Sequence, residues 1–194
     1  MLGRQRAEML PRRGGGGEVG VHTAIFPDAQ IGSDRYWRSV TAMKTGDTVA
    51  DFELPDQTGT PRKLSALLSG GPVVLFFYPA AMTPGCTKEA CHFRDLAQEF
   101  DAVGASRVGI SVDPVAKQAK FADTQRFDYP LLSDSDGAIA AQFGVKRGLL
   151  GKLIPVKRIT FVIDTDRKVL DVISSELSMD THADKALQTL QARS

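Results

Sequence analysis

Pro72 to Tyr78 (PVVLFFY) form an unbroken apolar, β-branched and aromatic stretch between Gly70-Gly71 and Pro79. A run this short, bounded by turn residues, has the pattern of a strand buried on both faces. Such a strand needs a layer on each side of its sheet, and the flanking sequence supplies helices. Cys86, Ala90, Phe93, Ala97 and Phe100 recur at spacings of four, three, four and three, which predicts one amphipathic helix. Arg107 to Val112 read as a second strand, followed by a helix over Val115 to Phe127 with Asp113 as N-cap and Pro114 as its first residue. Tyr129 to Leu132 read as a short extended piece and Gly137 to Phe143 as a short helix.

Ile159 to Ile163 and Val169 to Ile173 flank the turn-rich Asp164 to Lys168 and predict a hairpin. A last helix spans about Asp180 to Ala192, with Thr181 and Asp184 at capping-box spacing. Before the apolar run, Val49 to Leu54 predict a short strand closed by a turn at Pro55 to Gly59, and Leu64 to Leu68 a helical turn. The order strand, helix, strand, helix, hairpin, helix gives an α/β protein with a mixed sheet flanked by helices on both faces.

Residues 1–42 differ from the rest. Pro11 to Gly17 (PRRGGGG) suit neither a helix nor a central strand, and no apolar periodicity is sustained before Met43. The expectation is a disordered extension or a mis-assigned start over 1–42 and a single domain over 43–194, with Tyr36 and Trp37 the residues able to dock the extension. Arg4, Arg6 and Glu8 have no apolar stretch behind them, unlike a secretory signal, and Glu8, Glu18, Asp28 and Asp34 count against a transit peptide. Across the chain, 24 Lys+Arg face 23 Asp+Glu, a net charge of +1 that favours neither nucleic acid nor anionic lipid. The longest uncharged apolar run, Val73 to Met82, is about half of what a membrane span requires. A soluble cytoplasmic protein, with no nucleic-acid or membrane partner, is the expectation.

Cys86 and Cys91 are the only cysteines. Cys86 stands where a loop after the buried strand enters the helix, and the unsatisfied N–H groups and positive dipole end there favour a thiolate, the nucleophilic form. Five helical residues separate the two thiols by roughly 7.5 Å of rise and about 140° of rotation. A disulfide between them therefore requires the first turns to unwind. Other readings stay open on spacing alone. The pair can be two small buried hydrophobes. A zinc site would have to join Cys91-His92 to the isolated His22 and His182 and lacks the usual ligand spacing. A C-x-x-C oxidoreductase does not match five-residue spacing.

Tyr78 to Cys91 (YPAAMTPGCTKEAC) resembles the active-site signature of the peroxiredoxins, with Pro79, Thr83 and Cys86 meeting its Pro-x-x-x-Thr-x-x-Cys core. The TPGCT-x-E-A-C form is similar to the Q-type group, the bacterioferritin comigratory proteins of the AhpC/TSA superfamily. The likeness extends from Lys44 (KTGDTVADFELPDQTG) to Lys157–Asp164 (KRITFVID) and does not cover 1–42. It implies a thioredoxin fold and reduction of hydrogen peroxide or organic hydroperoxides without metal or organic cofactor.

By the same resemblance, Cys86 is the peroxidatic cysteine, oxidised to sulfenic acid, and Cys91 the resolving cysteine that forms a disulfide with it. A thioredoxin-like donor then restores the thiols. Thr83 is implied to hydrogen-bond the thiolate or peroxide, Arg158 to stabilise the thiolate, Pro79 to shield it, and Glu89 to orient the arginine. No cysteine follows Cys91, which suits a monomer. Ala80 and Ala81 make the pocket rim more apolar than in many relatives. The Gly144–Pro155 loop reads as a surface or donor-docking loop and lacks phosphate-loop spacing. The competing functions are a thiol-disulfide carrier or sensor without fast peroxide turnover, and a cysteine-independent chaperone-like role.

Overall fold

A computed structural model describes residues 42–148 and 155–193. The expectations for 1–41, including Tyr36 and Trp37, and for 149–154 of the Gly144–Pro155 loop, lie outside the described residues. Two strands, β1 (Glu53–Pro55) and β2 (Pro61–Lys63), pair antiparallel. Helix α1 (Leu64–Leu68) leads to β3 (Val73–Phe77), followed by α2 (Pro84–Asp95), α3 (Ala97–Ala102), β4 (Ser106–Ser111) and α4 (Val115–Gln125). Then come β5 (Leu131–Ser133), α5 (Ala138–Gln142), β6 (Ile159–Ile163), β7 (Val169–Ser174) and α6 (Thr181–Gln191).

The main sheet has the order β5-β4-β3-β6-β7, with β4 parallel to β3 and β5, and β6 antiparallel to β3 and β7. The apolar run is thus the central strand, and all five residues of β3 are buried. Alternation divides them between two cores. Val74 and Phe76 face Cys86, Ala90 and Phe93 of α2 and Ala183, Ala186 and Leu187 of α6. Val73, Leu75 and Phe77 face Leu64, Ile110, Phe143 and Phe161. Phe76 stacks on Phe93 at 4.2 Å between centroids, which fixes α2 over the sheet. Gly71 enters β3 at φ 139°, where a Cβ would lie 2.0 Å from the Gly104 carbonyl oxygen. Only glycine fits that approach.

Four local expectations change. The helix predicted through Phe100 is two helices, because Leu96 leaves helical geometry at φ −95°, ψ 24°. Phe100 still packs on Phe93. The strand predicted over Val49–Leu54 is confined to Glu53–Pro55, since the preceding backbone bonds elsewhere: Val49 N–H donates to Arg167 O at 2.9 Å, and Thr48 bridges Lys168. Asp113 does not cap α4; Pro114 takes the N-cap position. The Asp113 carboxylate accepts instead from Ala81 N at 2.6 Å, Ser111 Oγ at 2.9 Å and Lys117 Nζ at 2.6 Å. Thr181 forms no capping box, because Asp180 is the N-cap and the Thr181 hydroxyl donates to Ser178 Oγ at 2.6 Å. No described helix is long and apolar enough to cross a membrane.

Candidate active site

The site lies where β3 ends. Pro79 to Thr83 carry the chain from the strand to α2, and the loop is pinned from beneath by the Asp113–Ala81 hydrogen bond. Met82 sits at φ 68°, a left-handed conformation costing of order 1 kcal/mol for a residue with a Cβ. Thr83 is extended (φ −81°, ψ 151°), Pro84 is the first helical residue, and Cys86 falls in the first turn, buried at 1% exposure.

Arg158 directly precedes β6, and Phe77 pairs with Ile159, so the sheet register sets Arg158 beside the end of β3. Its Nη2 donates to Cys86 Sγ at 3.3 Å, and its Nη1 donates to Glu89 Oε2. Glu89 follows Cys86 by three residues and shares its helix face. Both partners of this ion pair are buried, Glu89 completely. Burial raises the Glu89 carboxyl to about 8 despite the neighbouring guanidinium. Arg158 is raised above its ordinary value; burial opposes this, while Glu89 and Cys86 together outweigh it. Arg158 Nε and Glu89 Oε1 have no hydrogen-bond partner.

Cys91 stays on the unbroken α2, half-buried, with its thiol toward Gln125 Oε1 at 3.4 Å. Both cysteines are free thiols. Burial pushes the Cys91 thiol up. Around it, Arg94 Nη1 donates to Gln125 O at 2.6 Å, and Tyr129 OH donates to Ala90 O at 2.7 Å. The Thr83 hydroxyl is committed to Ala80 O at 3.0 Å and neither caps the helix nor reaches the sulfur as a donor. Pro79 is half-buried at the loop's start.

Cys86, Arg158 and Glu89 are therefore brought together, Thr83 and Pro79 frame the loop above them, and Cys91 is held apart. Glu89 is not the solvated helix glutamate that its spacing also allows. Sequence reasoning missed His182. It is fully buried on α6, with Nδ1 2.9 Å from Thr160 Oγ1 and 3.6 Å from Glu89 Oε1, and with Nε2 2.9 Å from Ser175 O. The available signal was its place on the stripe with Ala186 and Leu190, where a polar side chain needs a buried partner. Met179 was missed as well: a Cβ on Gly85 would lie 3.4 Å from Arg158 Nη2 and 3.7 Å from Met179 Sδ. Among the described residues, no three or more His, Cys, Asp or Glu side chains cluster as metal ligands, and His92 Nε2 is paired with Asp184 at 2.7 Å.

The model of the AhpC/TSA family matches residues 45–172. The chain belongs to the AhpC/TSA family. Within it, this peroxiredoxin is 85% identical to peroxidoxin BcpB of Mycobacterium tuberculosis, whose crystal structure superposes with a TM-score of 0.75 over 77% of this chain and 97% of that one. It is 38% identical to peroxiredoxin Bcp of Escherichia coli over 152 residues, 77% of this chain and 96% of that protein. A structure of the bacterioferritin comigratory protein of Xanthomonas campestris, described for its alkyl peroxide reduction activity, is 32% identical with a TM-score of 0.67 over 76% and 99% of the two chains. The peroxiredoxin is thus of the Q type, with a thioredoxin fold, and is a thiol peroxidase, an oxidoreductase.

Proposed function

We propose that Cys86 is the peroxidatic cysteine, Cys91 its intramolecular resolving partner, and a thioredoxin-like dithiol the reductant. The Cys86 thiolate attacks one peroxide oxygen; the O–O bond breaks, the released oxygen takes a proton and leaves as water or alcohol, and Cys86 becomes sulfenic acid. The Cys91 thiolate then attacks Cys86 Sγ, an S–S bond replaces the S–O bond, and water departs. The donor dithiol reduces this disulfide by exchange and is itself oxidised. The observation that carries the reading is Arg158 Nη2 on Cys86 Sγ, because a fixed cation there stabilises both the thiolate and the charge developing on the leaving oxygen.

Thr83, through the lone pairs its oxygen retains, and Pro79 line the peroxide's approach. Half-exposed Met82 and nearby Met179, with half-buried Ala80, supply an apolar rim suited to organic hydroperoxides, while Ala81 is buried in the core and not at the rim. Residues 43–194 are the working domain of a cytoplasmic protein, and a single chain suffices for the thiol cycle because both thiols come from one helix. The test is consumption of hydrogen peroxide and of an alkyl hydroperoxide coupled to thioredoxin and its reductase. Turnover in the native protein that is absent from Cys86→Ser is expected. Consumption by the native protein no faster than the enzyme-free background contradicts the proposal and leaves a thiol-disulfide carrier.

A further inference from the structure

Beneath Cys86 lies a dry polar cluster that the reaction just described does not fully use. Glu89, Thr160 and His182 each have zero exposure, and Arg158 is 5% exposed. They come from three parts of the fold: Glu89 from α2, Arg158 just ahead of β6 with Thr160 inside it, and His182 from α6. Ser175 O can only accept, so His182 Nε2 must carry a hydrogen. Nδ1 is then the ring atom that faces Glu89 Oε1 at 3.6 Å and Thr160 Oγ1 at 2.9 Å. Glu89 Oε1 has no hydrogen-bond partner, and an orphaned buried oxygen of this kind is costly.

Charge counting gives the orphan a meaning. With Cys86 as thiolate and Glu89 ionised, two negative groups would share the single guanidinium of Arg158 away from water. Such a cluster is unfavourable unless one more proton is held in it. The other groups facing the pair do not supply it. Glu176, exposed between β7 and α6, is negative and already paired with Arg147 at 2.5 Å, and Tyr129 is a buried phenol held neutral. Glu89 and His182 are therefore the two places for that proton. Glu89 Oε1 and the Nδ1 edge of His182 face each other at 3.6 Å, so one proton is held between this carboxyl and this ring.

We propose, resting on the assignment of Cys86 as the peroxidatic thiol, that His182 is a positioning residue: it orients Glu89 and keeps one proton beneath Arg158, leaving the guanidinium charge for the Cys86 thiolate. His182 touches neither sulfur nor peroxide, and acts through Glu89 and Arg158. Without the ring, the pair loses one of its two proton sites and the polar group that faces Oε1, and Glu89 is no longer held in place beside Arg158.

The experiment uses the full chain with Cys91→Ser, so that a single thiol is observed. The thiolate of Cys86 is titrated by ultraviolet absorbance and by alkylation, and its oxidation by hydrogen peroxide is timed. His182→Phe should move the thiolate titration upward by about one pH unit and slow oxidation at neutral pH about tenfold. His182→Asn, which returns a polar atom near the Nδ1 position, should recover most of both. In a Glu89→Ala background, His182→Phe should add nothing further. A His182→Phe protein that oxidises slowly with an unmoved titration, or an Asn variant no better than Phe, overturns the proposal. Should His182→Phe fail to fold, Thr160→Val decides: the shape-conserving loss of the hydroxyl that holds Nδ1 should shift the titration the same way, and no shift contradicts the proposal. If the native thiol does not react with peroxide at all, the peroxidase reading fails, while the alkylation titrations still judge His182.

Discussion

Arg158 Nη2 lies 3.3 Å from Cys86 Sγ across the seam between β6 and the first turn of α2, a contact made by residues far apart in sequence. It turns a buried cysteine at a helix start into one facing a fixed positive charge. The central strand makes this possible, because α2 begins just beyond one end of β3 and β6 starts beside that same end.

Removing that charge should slow the chemistry more than it weakens the fold. Arg158→Met is expected to lower the second-order rate of Cys86 oxidation about a hundredfold, the scale of losing one preorganised donor to developing charge. Stopped-flow oxidation with hydrogen peroxide checks it. A rate within a few-fold of native would remove Arg158 from the mechanism.

The two thiols should separate kinetically. Cys91→Ser is expected to keep the first reaction with peroxide at the native rate and then to stall as sulfenic acid until an outside thiol is added. Sulfenic-acid trapping and mass measurement follow this directly. Loss of the first reaction would deny Cys91 a purely resolving role.

Opening of α2 should be limited by contacts around Cys91. Tyr129 OH to Ala90 O (2.7 Å) and Arg94 Nη1 to Gln125 O (2.6 Å) tie this stretch of helix to the neighbouring chain. Tyr129→Phe deletes one such bond, worth about 1 kcal/mol, and should speed disulfide formation several-fold. Hydrogen exchange over 83–93 should rise on oxidation in the native protein. Identical exchange in both redox states would contradict the unwinding step.

The buried Glu89 and His182 should shape stability between about pH 4.5 and about pH 8. Burial raises the Glu89 carboxyl from its ordinary 4.5 to about 8. Relative to the unfolded chain it contributes stability that is full below about 4.5 and is lost as pH rises through about 8. His182 is lowered from 6.5, so its contribution is present above 6.5 and declines as pH falls through its depressed value. Thermal midpoints of the native protein should fall between about pH 6.5, below which His182 opposes the change, and about pH 8, and should fall less steeply over that window in Glu89→Gln. An unchanged slope there in that variant would place the titration elsewhere.

Much of this architecture is visible in the sequence because it is local. The seven-residue apolar run, the glycine pair before it and the cysteine spacing each depend on near neighbours, and β3 and α2 form where those patterns lie. Cys86 was legible as a nucleophile from its place at the helix start, but Arg158 only through the likeness to a family, since an arginine ahead of a strand carries no spacing signal linking it to a distant cysteine. Local rules failed where a side chain found a distant partner. Asp113 left its expected cap for the Ala81 amide, and Thr83 spent its hydroxyl proton on Ala80 O. His182 looked solitary because its partners, Thr160 and Glu89, reach it through the packing of α6 on the sheet and α2.

The most direct measurement is the fate of the two thiols after one equivalent of hydrogen peroxide, read by thiol counting and peptide mass mapping on the full chain. The prediction is loss of both thiols and a single Cys86–Cys91 disulfide within one chain, with no such product from Cys86→Ser. Two intact thiols with the peroxide unconsumed, or a disulfide joining separate chains, would contradict it.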